Sequence, residues 1–265
     1  MGLPSDIRLE FVDSIDKAWE MKRWAGERRE VLGLDTETSG LSAFATDNIT
    51  GPPKLRTIQL GDHKAGWTVP WEQWGGVAME LLNAYEGTIA AHNWAFDEKW
   101  MTKHAGWTVP WERIHDTMIM ANMIYPGKPA GLKDLSDKYI DPRASVGQEI
   151  LKQAFADNKW NWHNVPLDYQ PFWQYAALDP VITSYIWSHL RADQKYPKSF
   201  DLEMSALRIC IGMEDRGIPI DLDYVKDQRD NLNEWSAQIR DWETDRKSTR
   251  LNSSHSAKSR MPSSA

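Results

Sequence analysis

The sequence predicts a mixed α/β domain followed by a short helical region, and three observations carry that prediction. Compact apolar runs of strand type come early, as VLGLD (31–35), LRTIQLG (55–61) and TIAAHN (88–93). Helix-period segments follow and interleave with them from residue 72 onward. After Phe200 only helical stripes remain.

Taken in order, IRLEFV (7–12) alternates like a strand, and Ser14 is placed to cap a helix running to about Gly26. VLGLD has the continuous apolar character of a strand buried on both faces. The stretch to Lys54 is rich in Gly, Pro, Ser and Asn and reads as a long loop. LRTIQLG and AGWTVP (65–70) form an expected antiparallel pair. Helical spacing appears at 72–85, 95–105, 116–125, 131–140 and 146–157, and again from Pro171 to about Tyr196. Leu202, Ala206, Ile209, Cys210 and Met213 make one apolar stripe. Val225, Leu232, Trp235, Ile239 and Trp242 make a second, across a turn at DRGIPID (215–221). Two antiparallel helices would bury both stripes against each other. The expected division is therefore 1–197, 198–245, and a Ser-rich tail at 246–265 with no periodicity, read as non-native and disordered.

An octapeptide, AGWTVPWE, occurs at 65–72 and again at 105–112. Its flanks differ and two copies cannot build a solenoid, so it carries no function. The chain has 265 residues, is 41% apolar and holds 15 Trp, which are expected to serve mainly as core. The single cysteine, Cys210, excludes an intrachain disulfide and a cysteine-rich zinc site. No run approaches the roughly 18 apolar residues of a membrane span, and no signal peptide opens the chain, so a cytoplasmic protein without a membrane partner is expected. Net charge is −7, but the tail holds five basic residues and no acid, leaving the body at −12 with 26 basic against 38 acidic side chains. Such a body does not hold nucleic acid by a basic surface alone. It does so if divalent cations bridge its carboxylates to phosphate.

Three motifs are candidates for that chemistry. In Asp35-Thr36-Glu37, strand alternation puts two carboxylates side by side at the end of an apolar strand, where a divalent cation relieves their repulsion. In His92-Asn93-Trp94-Ala95-Phe96-Asp97, Asn93 is suited to open a helix that carries Asp97 in its first turns. The same spacing at His163-Asn164 and Asp168 lacks a preceding strand and contains Pro166, which argues against it. Tyr175 and Asp179 lie one helical turn apart, a phenol beside a carboxylate. Pro180 follows directly and removes a helix hydrogen bond, so either the helix kinks there or Asp179 sits near a helix start.

In this order, with AHNWAFD (91–97), HDTMIMA (115–121), GLKDLSDKY (131–139) and YAALDPVITSYIW (175–187), the chain resembles the DEDDy 3′-to-5′ exonucleases of the DnaQ-like superfamily over about residues 30–190. It is most similar to the proofreading domain of family A DNA polymerases, the bacterial DNA polymerase I type, in a phage-borne form. ALRICIGMEDRGIPIDLDYV (206–225) resembles the start of the polymerase thumb. The resemblance implies a ribonuclease-H-like fold, a mixed five-stranded sheet flanked by helices and followed by a partial helical thumb. It implies a two-metal exonuclease releasing nucleoside monophosphates from single-stranded DNA 3′ ends, a polymerase domain in the full-length protein, a monomer, and no synthesis by this chain. Asp35, Glu37, Asp97 and Asp179 would hold two divalent cations, Mg²⁺ or Mn²⁺, with Tyr175 and Glu37 orienting the attacking water. Thr36, Leu41, Asn93 and Phe96 would touch the terminal nucleotides. His115 and Asp116 are expected to be structural, with Asp116 capping the next helix. Two other readings stay open: an RNA exonuclease of the ribonuclease D type, and a catalytically silent scaffold that binds polymerase or DNA.

Overall fold

The computed structural model describes residues 6–27, 30–44, 51–141, 143–195 and 197–258. Residues 45–50 of the expected loop lie outside that set. The chain divides into two compact units, Met1–Met213 and Glu214–Ala265.

The first unit is built on one mixed sheet. Its strands are β1 (Arg8–Phe11), β2 (Val31–Thr38), β3 (Leu55–Gly61), β4 (Ala65–Pro70), β5 (Thr88–Ala91) and β6 (Ile114–Asp116). They lie in the order β1-β4-β3-β2-β5-β6. The pairs β2–β3 and β3–β4 are antiparallel, while β1–β4, β2–β5 and β5–β6 are parallel. Among the described residues six strands stand where five are expected. The sixth is only three residues long, too short to show a period in sequence, and is held by its register on β5.

Helices α1 (Ile15–Ala25), α2 (Trp71–Ala84), α3 (Trp94–Lys103), α4 (Thr117–Ile124), α5 (Leu132–Tyr139), α6 (Arg143–Asn158) and α7 (Gln170–Asp193) follow the periodic segments closely. Ser14 caps α1, its hydroxyl accepting from the Lys17 backbone. Trp67, Trp94, Trp100 and Trp187 are fully buried, as core tryptophans should be.

α7 lies across β1 through β5 and fixes the site. Three glycines, Gly33, Gly61 and Gly66, face one another in adjacent registers of β2, β3 and β4. A Cβ at Gly33 would stand 2.0 Å from the Pro180 carbonyl oxygen, and one at Gly66 would stand 1.9 Å from that of Ala177. The glycine row thus lets the α7 backbone rest directly on the sheet. Pro180 also meets this floor, its ring 3.1 Å from where a Gly61 Cβ would be. The helix runs unbroken through Pro180, so Asp179 sits in its middle and not near a start. Tertiary contact over the glycines offsets the missing backbone hydrogen bond.

Helix α8 (Pro197–Arg216) begins in the first unit, packing Phe200 and Met204 into its core. Leu202, Ile209 and Met213 of its apolar stripe remain exposed. In the second unit, α9 (Leu222–Lys258) carries the other stripe, of which Val225, Leu232, Trp235, Ile239 and Trp242 are also exposed. α9 continues through the front of the expected tail to Lys258, with no Gly or Pro to stop it, while 259–265 lie outside the described residues. No helix among the described residues is long and apolar enough to cross a membrane.

Candidate active site

β2 supplies the first two carboxylates. Gly33 faces α7, and alternation puts Asp35 and Glu37 on that same face, with Thr36 on the other. Both acids are partly accessible, whereas Thr36 is 4% exposed. The β2–β3 register slips between Glu37 and Thr38, a bulge that bends the strand just past the pair.

Asp97 arrives from the first turn of α3. The β2–β5 ladder runs only from Val31–Thr88 to Gly33–Ala90, so the β5-facing edge of β2 is free of that strand beyond Gly33. There the Thr36 hydroxyl donates to Asp97 Oδ1 at 2.6 Å, and the Thr36 backbone N–H donates to the same carboxylate. Thr36, expected at the nucleic acid, has its hydroxyl committed to the acid beside it.

Asn93 stands at the N-cap of α3 as expected, but its side chain makes no cap bond. The carboxylate of Asp116 accepts from the backbone N–H of Asn93 at 3.2 Å and of Trp94 at 2.8 Å. It also accepts from Met118 and Ile119, so one buried Asp caps both α3 and α4. Asn93 itself is exposed and left-handed, with φ 63°. Asn tolerates that region better than most residues, and such conformations gather at functional sites. His115 is structural, accepting from the Trp187 indole at 2.9 Å.

α7 delivers Asp179 and, one turn earlier, Tyr175. Asp179 is 6% exposed and ion-paired through Oδ1 with the ammonium of Lys133 in the first turn of α5. The same ammonium lies 4.4 Å from the centroid of the Tyr175 ring. The Tyr175 phenol lies one turn before Asp179 and acts with Lys133 in favour of its charged form.

The four acids feel one another. Burial, then the charges of Asp97, Asp179 and Glu37, push the Asp35 carboxyl well above the usual range, with Lys133 opposing. Glu37 is raised to about 8 by burial and by Asp179, against Lys133 and Arg56. Asp97 is raised to about 7 by burial, with the Thr36 hydroxyl acting against it. Asp179 is raised by burial despite Lys133. Burial and the same acids push the Tyr175 phenol up, so it stays a neutral donor. All-oxygen carboxylate donors suit hard divalent cations. Among the described residues, however, no three ligand groups converge as a ready-made cage, and Lys133 occupies one oxygen of Asp179. The donor set fits the ions, and the lysine shares it.

Beside Glu37 opens a groove of about 340 Å³ lined by Thr36, Leu41, Phe96, Trp162 and His163 among others. Leu41 is 92% exposed there, and the Trp162 indole packs 6.0 Å from the Tyr175 ring. The segment carrying Trp162 is fastened to the sheet by Arg56, whose guanidinium donates to the carbonyls of Trp162 and Val165. Sequence alone does not mark Lys133, Arg56, Trp162 or His163 as site residues. His163 belongs to the repeat of the His-Asn spacing that the sequence argued against, and Lys133 lies in the GLKDLSDKY run with nothing local to mark it.

A family model described as 3′-5′ exonuclease matches residues 12–195. DNA polymerase I of Borreliella burgdorferi is 24% identical over 214 residues, covering 76% of this chain and 22% of that protein. DNA polymerase DpoZ of Vibrio phage phiVC8 is 26% identical over 219 residues, covering 74% of this chain and 34% of that protein. The chain thus spans between 22% and 34% of the length of these curated relatives. Among solved structures, Escherichia coli RNase D superposes with TM-score 0.54 at 17% identity, over 80% of this chain and 52% of its own. The POL domain of Pol1 from M. smegmatis gives 0.56 at 16% identity, over 88% of this chain and 36% of its own. At these identities the likeness is one of fold, the ribonuclease-H-like arrangement of a mixed sheet flanked by helices.

Proposed function

Since this chain belongs to the 3′-5′ exonuclease family, we propose that it removes nucleoside monophosphates from the 3′ ends of single-stranded DNA, as the proofreading part of a longer polymerase. What supports this reading is that Asp35, Glu37, Asp97 and Asp179, from three distant segments, lie within electrostatic reach of one another without forming a ready-made cage among the described residues. These four acids would hold two divalent cations, Mg²⁺ or Mn²⁺, which when bound supply charge stabilisation at the scissile phosphate and an activated water.

The chain's own groups do the rest. Tyr175, neutral and one helical turn before Asp179, is placed to orient water at the edge of the cluster. Leu41, Phe96 and Trp162 offer apolar and aromatic surface for the terminal bases, and base–aromatic stacking is sequence-tolerant, as an exonuclease requires. Exposed Asn93 is available to the terminal sugar or base. Residues 198–245 are assigned to the opening of a polymerase thumb. DNA is favoured over RNA because the curated relatives are DNA polymerases, whereas RNase D shares the fold alone.

The test is digestion of matched 5′-labelled single-stranded DNA and RNA with Mg²⁺ or Mn²⁺. A ladder of DNA shortened from the 3′ end is expected, abolished by chelator and by Asp35→Ala. Activity surviving either treatment would sink the reading, and faster loss of RNA would move the enzyme to the ribonuclease D type.

A further inference from the structure

Lys133 is the one group of the carboxylate cluster that neither the family chemistry nor the proposed cation site accounts for. Position and charge are both unusual. A cation in the first turn of a helix meets the positive end of the helix dipole, so α5 alone disfavours it there. The placement is offset from outside: the ammonium pairs with Asp179, lies over the Tyr175 ring, and opposes the charge accumulating on Asp35, Glu37 and Asp179. Its side chain is 16% exposed and that of Asp179 is 9%, so solvent screens the pair weakly. Arg56 reaches Glu37 electrostatically but commits its guanidinium to two backbone carbonyls. Lys133 therefore carries the main positive charge against the buried acids.

Resting on the proposed two-cation reading, we infer that Lys133 is a built-in counter-ion which a divalent cation must displace from Asp179. A cation coordinated by either oxygen of Asp179 sits within a carboxylate's width of the ammonium, and two positive ions at one carboxylate repel. The lysine is suited to withdraw, because its charge sits on a flexible four-carbon stem. While paired, it keeps the acids from driving α7 and β2 apart. Once displaced, the cation takes over that task. Affinity for the ion is thereby lowered, and the site stays assembled between ion-loading events.

The test is Mn²⁺ titration by calorimetry, with melting temperatures in chelator and in saturating Mn²⁺, on wild type, Lys133→Met and Lys133→Arg. Lys133→Met should bind Mn²⁺ about tenfold more tightly, melt lower than wild type in chelator, and recover the difference in Mn²⁺. Lys133→Arg should resemble wild type in both measurements. Should Lys133→Met not fold in chelator, Lys133→Gln, which keeps a donor without the charge, should show the same tightening. Wild-type binding with no tightening in the neutral variants overturns the inference alone. A wild type that binds no Mn²⁺ overturns the two-cation reading and the inference with it.

Discussion

Asp97 and Asp179 reach the same strand from different helices and are held there by different physics. Asp97 is bound by dipoles: the Thr36 hydroxyl and the Thr36 backbone N–H, at the first turn of α3. Asp179 is bound by a full charge, Lys133, with a phenol beside it, from the middle of a helix resting on three glycines. The first arrangement adds no net charge and need not change when a cation arrives. The second already contains a cation, so ion binding and rearrangement are coupled on that side. Rigidity on one arm and exchange on the other follow from which donors the sequence supplies.

The largest effect should come from lifting the Asp179 arm off the sheet. In Gly66→Ala the new methyl would stand 1.9 Å from a backbone oxygen of α7, which cannot rotate away. We expect a loss of about 3 kcal/mol or more, about 6–12 °C in melting temperature for a domain of this size, together with loss of nuclease activity. A wild-type melting curve for this variant would mean that α7 does not press on the glycine row.

Next in size is the response to pH, which reads both arms together. The carboxyls of Glu37 and Asp97 are raised to about 8 and about 7, above their ordinary values of 4.5 and 3.8. Between those limits these two carboxyls bind more protons in the folded protein than in the unfolded chain, so their contribution to metal-free stability falls as pH rises from about 4 to 8. Divalent ions favour the ionised forms, so their binding should release protons and tighten over the same range. Melting scans at pH 5 and pH 8 should show the lower value at pH 8 in chelator, with the gap narrowed by Mg²⁺. A metal-free protein that gains stability toward pH 8 would show that the acids are not forced together.

Smaller effects should separate the arms. Thr36→Val takes a hydroxyl from a buried carboxylate and should cost about 1–3 kcal/mol. Tyr175→Phe leaves Lys133 on Asp179 and should cost about 1 kcal/mol or less, while slowing hydrolysis on the order of 10²-fold with Mn²⁺ affinity unchanged. Loss of Mn²⁺ binding in Tyr175→Phe would reassign the phenol from water to metal. Equal melting temperatures for the two variants would erase the distinction between dipole-held and charge-held acids.

Much of this arrangement is legible in the sequence because it is local. The apolar run before Asp35, the helix opened after Asn93, and the one-turn spacing of Tyr175 and Asp179 all mark themselves within a few residues. What is hidden depends on neighbours across the fold. Gly33, Gly61 and Gly66 look unrelated until the registers of β2, β3 and β4 align them under Pro180 and Ala177. The double cap by Asp116 needs the start of α3 to lie against that of α4. Lys133 is an ordinary surface-type residue until the start of α5 meets α7. The repeated octapeptide makes the point within one sequence. AGWTVP at 65–70 is the buried strand β4, because β1 and β3 flank it. The same letters at 105–110 form no strand and lead into a single 3₁₀ turn, Trp111–Arg113. There Trp107 is held by Asn83 at 3.0 Å.

That repeat also supplies the smallest and most discriminating prediction. Gly106 is the counterpart of Gly66, but a Cβ on it would meet nothing within 4 Å, and its only demand is a left-handed φ of +63°. Gly106→Ala should therefore cost about 1 kcal/mol, or about 2–4 °C, and leave nuclease activity unchanged. The two glycines share identical neighbours from Ala to Glu, so local sequence cannot explain a difference between the variants. If Gly106→Ala is as damaging as Gly66→Ala, contact with α7 is not what makes Gly66 indispensable. A clear gap, with activity lost only at Gly66, ties the position of Asp179 to the bare floor beneath it.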